Sequence, residues 1–73
     1  SMTMASWRFS AVVIKTDASK PDRLYCDREG RPVLWTEYGR AADETAAMLT
    51  ANGLKASAEV VEVSTIVPVA SGN

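Results

Sequence analysis

Histidine is absent from this 73-residue chain, and cysteine occurs once, at Cys26. The first absence removes the commonest general base and metal ligand. The second removes an internal disulfide, a CxxC-type zinc site and an iron–sulfur site. The chain is therefore expected to bind no metal and to carry no cofactor. No stretch approaches the ~20 consecutive apolar residues of a membrane-spanning helix. No basic segment followed by an apolar one marks a signal peptide. An unpaired cysteine fits a reducing compartment, so a cytoplasmic setting is expected. A large charge of either sign is missing too: eight Lys/Arg stand against nine Asp/Glu, a net charge of −1. A protein held to nucleic acid by electrostatics would carry a basic excess.

What is present is the composition of an ordinary soluble domain, 47% hydrophobic and 23% charged, in a length that allows only one. The domain is placed at residues 5–70, with 1–4 as an unstructured N-terminus and 71–73 as a frayed end. Ser1 ahead of Met2 reads as the scar of a removed tag. A core of this size rarely supplies more than ~3–5 kcal/mol. With no disulfide or metal to assist, self-association is an early expectation. Charge is mildly uneven: residues 1–40 carry seven basic and five acidic groups, whereas 41–73 carry Lys55 against four acids. That asymmetry can orient a partner but cannot hold a phosphate backbone alone.

Residues 7–16 have the β-branched and aromatic content of a strand. Alternation puts Trp7, Phe9, Ala11 and Val13 on one face and Val12 and Ile14 on the other, as in an interior strand. Asp17 to Asp22 is a turn-rich connector containing Pro21. Two short apolar runs, 23–26 and 31–36, flank an Asp-Arg-Glu-Gly turn and read as a β-hairpin, with Gly30 free to take a positive φ. Pro32 places the second arm at a sheet edge.

From Ala41 the period changes. Ala42, Ala46 and Leu49 recur at helical spacing, with Asp43 and Glu44 near the positive end of the dipole. Asn52-Gly53-Leu54 reads as the stop, Gly53 taking the left-handed conformation. Residues 58–69 form the most β-prone segment, with Val61, Val63 and Val67 on one face and Val60 and Ile66 on the other. Pro68 is expected to end regular pairing. The fold class is α+β, in the order β-β-β-α-β: a four-stranded, mostly antiparallel sheet with one helix on one face. Strand order 3-2-1-4, with the last strand parallel to the first, is expected; the alternative puts the last strand beside the third.

The catalytic inventory is thin, and a non-enzymatic protein is expected. Cys26 and the serines have no histidine to activate them, and Ser19-Lys20 sits in a solvated turn. Cys26 on a short strand reads as a small buried hydrophobe. The acids Asp17, Asp22, Asp27 and Glu29 lie in turns without the spacing of a calcium loop. Glu59 and Glu62 point to opposite faces of a strand, so they are no catalytic pair. A ligand pocket between helix and sheet is a third possibility, which needs a deep cavity.

Two binding surfaces stand out. A single helix covers one sheet face, leaving the other for a partner. The candidate interface residues are Trp7, Phe9, Val12, Ile14, Val60 and Ile66, on whichever face lies open. The valine-rich last strand is also an edge able to pair with a symmetry mate or another chain. Alternatively, Arg23, Arg28 and Arg31 of the hairpin, with Trp35 to stack bases, form a nucleic-acid-binding tip. Asp27 and Glu29 nearly cancel that charge.

The run from Tyr25 to Val63 joins an Asp-Arg-Glu-Gly-Arg turn, a tryptophan, an Ala-rich helix and a Glu-Val-Val-Glu-Val strand. In this it resembles a broad set of small phage and mobile-element accessory proteins. The resemblance covers about two-thirds of the chain and assigns no residue a role. It implies a factor that binds and modulates a host protein such as an RNA polymerase or a defence nuclease. The expected partners are thus a second copy or a host protein.

Overall fold

Val12-Val13-Ile14 is the most β-prone tripeptide of the N-terminal half, and the sheet is built around the strand that holds it. A computed structural model describes residues 3–36 and 39–67. Strand β1 spans Thr3–Lys15, followed by β2 (Arg23–Leu24), β3 (Trp35–Thr36), helix α1 (Arg40–Ala51) and β4 (Lys55–Val67). The arrangement is α+β, one helix on a four-stranded sheet. Every pairing in that sheet is antiparallel and every one is made to β1.

Both long strands begin earlier than their β-branched runs. β1 starts at Thr3, so residues 3 and 4 are paired strand rather than an unstructured N-terminus. β4 starts at Lys55, three residues before Ala58, and pairs through all thirteen of its residues with β1, from Thr3↔Val67 to Lys15↔Lys55. Pairing with a strong neighbour carries weakly β-prone residues such as Ala56 and Ser57 into the ladder. Pro68 and 71–73, expected to end pairing and to fray, lie outside the described residues.

The hairpin differs from expectation. Leu24 and Arg23 pair with Val13 and Ile14, and Trp35 and Thr36 pair with Ser10 and Phe9, so β2 and β3 lie end to end along one edge of β1. Between them the chain leaves the edge after Tyr25, whose N–H donates to the Val12 carbonyl. It reverses through a turn closed by the Cys26↔Pro32 bridge, with Gly30 at φ 83°, and returns to the same edge. Asp27 holds the turn: its carboxylate accepts the N–H of Glu29 at 2.9 Å and of Arg31 at 3.0 Å. Pro32, having no N–H, sits at the closing bridge of this excursion, while the paired part of the second arm, β3, runs along the sheet edge as expected.

This corrects the strand order. Because β3 runs in the direction of β2, α1 carries the chain over β1 to its far edge and β4 is antiparallel to β1, not parallel. The adjacency of the first and last strands holds, whereas β3 neighbours β1 instead of β2.

Helix α1 follows Gly39, an N-cap in extended geometry with no side-chain cap, and has Asp43 in its first turn. At its end Gly53 takes φ 91°, the N–H of Leu54 reaches the Leu49 carbonyl, and that of Gly53 reaches Thr50, both at 3.0 Å. These are the two bonds of a Schellman stop. The Asn52 side-chain amide adds a bond to the Met48 carbonyl. The sheet-facing stripe is Ala42, Ala46 and Leu49, which meet Val12, Ala56 and Ala58 with Tyr25 and Trp35 at the side. Small residues on both surfaces let helix and sheet approach closely. The fully covered apolar residues described are Ala11, Val12, Val13, Ile14, Ala42 and Ala46. No buried side chain among them is larger than isoleucine, so this is a small core.

Candidate interaction surface

The sheet is three strands wide only beside residues 9–14 of β1. Beyond them, residues 3–8 of β1 and 62–67 of β4 pair with each other and, among the described residues, with no third strand. This two-stranded arm makes the molecule long. Its greatest extent is 54 Å and its radius of gyration 15.5 Å, against about 11 Å for a compact chain of this length. A lone two-stranded ribbon is marginal in water. The arm nevertheless carries exposed apolar side chains, Met4, Trp7 and Ile66, besides Met48 and Leu54 at the helix.

Alternation sorts them. Trp7 and Phe9 face Val63 and Val61 on the side away from the helix. Leu34, delivered by the excursion, joins Trp7, Phe9, Val63 and Thr65 in an open groove of about 440 Å³. Trp7 is 52% exposed. On the helix side, beyond the helix itself, stand Met4, Val60 and Ile66, the last 60% exposed.

Of the six residues expected at an interface, Trp7, Phe9, Val60 and Ile66 reach the surface at least in part. Val12 and Ile14 do not: they are 0% and 2% exposed. The helix lies on the face that carries them, which makes them core; the Trp7 face is open along the arm, although Ala11 and Val13 further along it are covered. Leu34 and Met4 join these surfaces without a sequence signal that predicts it. Nothing local marks Leu34, since only the path of the excursion brings it to Trp7. Met4 shares its face with Ser6 and Arg8, and that polar company hides the alternation.

The basic hairpin fares differently. Arg23, Arg28 and Arg31 are exposed, the last two beside the Asp27 carboxylate that holds the turn. Trp35 is half-buried against the Val12–Ala42–Ala46 cluster, as is Tyr25. The aromatics that would stack bases are thus engaged in the core, and the arginines stand without them.

Other features carry little chemistry. Cys26 is exposed, not buried as expected, because the excursion lifts it off the sheet; its thiol approaches the Leu24 carbonyl at 3.3 Å. The Ser19 hydroxyl and N–H both donate to Asp17, which lowers the Asp17 pKa, the hydroxyl contributing most. A second cleft, of about 330 Å³, is lined by Lys15, Thr16, Asp17, Gly53, Leu54 and Lys55. There two lysines oppose one another across the ladder beside one carboxylate. Between helix and sheet, the space where a ligand pocket was considered is occupied by the side chains of the core cluster. Among the described residues no three His, Cys, Asp or Glu side chains gather as metal ligands. No described helix is long and apolar enough to cross a membrane.

Fold and surface together define a small α+β domain with a projecting apolar ribbon. Comparison with protein-family models, with curated proteins and with solved structures returned no match.

Proposed function

We propose that this chain is a non-enzymatic protein-interaction module that engages a partner protein through the Trp7 groove. The observation that carries the reading is the half-exposed Trp7 ring beside Phe9, Leu34 and Val63. Tryptophan is enriched among interface anchors, and an exposed apolar groove marks interaction sites. Residues 25–63, read as resembling mobile-element accessory proteins, point to a host protein as the target, and the unpaired Cys26 points to a reducing, cytoplasmic setting.

The test is partner capture from cells of the source organism, read by quantitative mass spectrometry. Wild-type chain is compared with Trp7→Ser and Leu34→Ser variants. A protein enriched by the wild type and lost with both variants, their melting curves unchanged, is the expected result. Identical captured sets would remove the groove from the interface. Nucleic acid is the competing partner. A mobility shift that weakens steeply with salt and disappears in an Arg28→Glu/Arg31→Glu variant would replace the protein reading.

A further inference from the structure

The outer edge of β4 is the longest run of unpaired backbone in the described sheet. It offers thirteen residues, roughly 44 Å of strand at ~3.4 Å per residue. Its pairing to β1 is continuous from Lys55 to Val67, so no bulge twists the edge away, and no proline falls within it. Edges of this kind draw another strand unless they are short, kinked, heavily charged, proline-bearing or covered; this one carries three charges, Lys55, Glu59 and Glu62, in thirteen residues. Helix α1 packs on the face of β4 and reaches its outer edge at Ala56, whose carbonyl accepts the Thr50 hydroxyl at 3.4 Å; beyond Ala56 no described residue pairs with that edge.

We propose that this edge pairs antiparallel with the β4 of a second copy, about a twofold axis normal to the sheet at Val61. The two sheets then run as one. A second copy is selected by the charge pattern. With Val61 on the axis, all thirteen residues pair: Val60 faces Glu62, Glu59 faces Val63 and Lys55 faces Val67 of the other copy. No like charges stand directly opposite, and the one like-charged diagonal is Glu62 against Glu62 of the other copy. Axes at Glu59 or Glu62 would set glutamate directly against glutamate, which disfavours them. An axis at Val60 pairs only eleven residues. The register of fullest pairing is also the one that sets no like charges directly opposite, as a self-complementary interface favours. It further brings the exposed Ile66 of each copy opposite Ala56 of the other, at the margin of the core cluster that Ala56 joins. The pairing uses backbone and not the groove, so it stands apart from the function proposed above.

Two experiments test it. Sedimentation velocity across a concentration series should show a monomer–dimer equilibrium that responds oppositely to two substitutions at Val60, an exposed site (42%) where either charge is tolerated by the fold. Val60→Lys places a lysine opposite Glu62 of the other copy twice, and tightens the dimer by about fivefold. Val60→Glu sets glutamates opposite one another twice, and weakens it by about fivefold. In a Cys26→Ser background, single cysteines at positions 57, 59, 61, 63 and 65 are treated with a short dimaleimide. Crosslinking should peak at Val61→Cys, where the two copies come within about 5.5 Å, and fall at 59 and 63, where they lie about 14 Å apart. A strict monomer at all concentrations, the same response to both charges at position 60, or a crosslinking maximum away from 61 overturns the proposal. None of these outcomes bears on capture through Trp7.

Discussion

Replacing Val12 by alanine strikes the centre of the core. Val12 is completely covered, between the Ala42–Ala46 stripe above and the aromatic pair Tyr25 and Trp35 at its side. The change removes two methyl-sized groups, about 1.6 kcal/mol at ~0.8 kcal/mol for each buried CH₂ unit. Its neighbours Ala42, Ala46 and Ala58 are too short to close the gap, so a cavity term adds to that, for about 2–3 kcal/mol in all. A domain of this kind holds ~3–5 kcal/mol from its core, so roughly half its stability goes. The melting temperature should fall by about 10–20 °C. Val60→Ala deletes the same atoms from a site 42% exposed and leaves no cavity, so it costs below about 1 kcal/mol. Urea titrations at one protein concentration, followed by circular dichroism, give both numbers; concentration is fixed because any dimer adds apparent stability. In a Trp7→Phe background fluorescence reports Trp35 alone, and its transition should move with the dichroism. Equal costs at positions 12 and 60, or a loss under 1 kcal/mol at position 12, would refute the placement of the core.

Gly53→Ala should cost about 1 kcal/mol, because φ 91° is strained for any residue with a Cβ although the space around it is open; a shift in urea midpoint measures it. The pH response of Asp17 has a defined sign. Its pKa is lowered in the folded chain by the Ser19 hydroxyl and N–H, so the unfolded chain takes up the proton first as pH falls. The stabilisation is present above the ordinary aspartate pKa and is lost as pH falls through the lowered one. Urea midpoints of wild type and Asp17→Asn should therefore differ above the ordinary aspartate pKa and converge as pH falls through the lowered one. The effect is small for so exposed a turn, and a gap that widens on acidification would contradict it.

Much of this was legible locally. Gly30 and Gly53 sit where Asp-Arg-Glu-Gly and Asn-Gly-Leu demand positive φ, because turn and helix-stop chemistry is decided within a few residues. The stripe Ala42–Ala46–Leu49 and the alternation of the long strands follow from the two backbone periods. By contrast, the two candidates Val12 and Ile14 went to the core. Alternation states which residues share a face but not which face the helix will take.

The absence of histidine and the single cysteine, the short connections and the two periodicities are properties of the sequence alone. They determined an α+β domain with one helix, its turns and its thin catalytic inventory. Tertiary structure alone decided that the Asp27 turn is an excursion returning to the same edge of β1. That return reverses the direction of β4, brings Leu34 to Trp7 and lifts Cys26 into solvent. The reason is physical: a chain reversal is a local event, but which edge the returning strand joins depends on hydrogen-bonding groups twenty or more residues away. Those groups, on β1, are filled by β4 along one side and by the β2–β3 segment beside residues 9–14 on the other, and the outer edge of β4 is the longest edge the described sheet leaves without a partner strand.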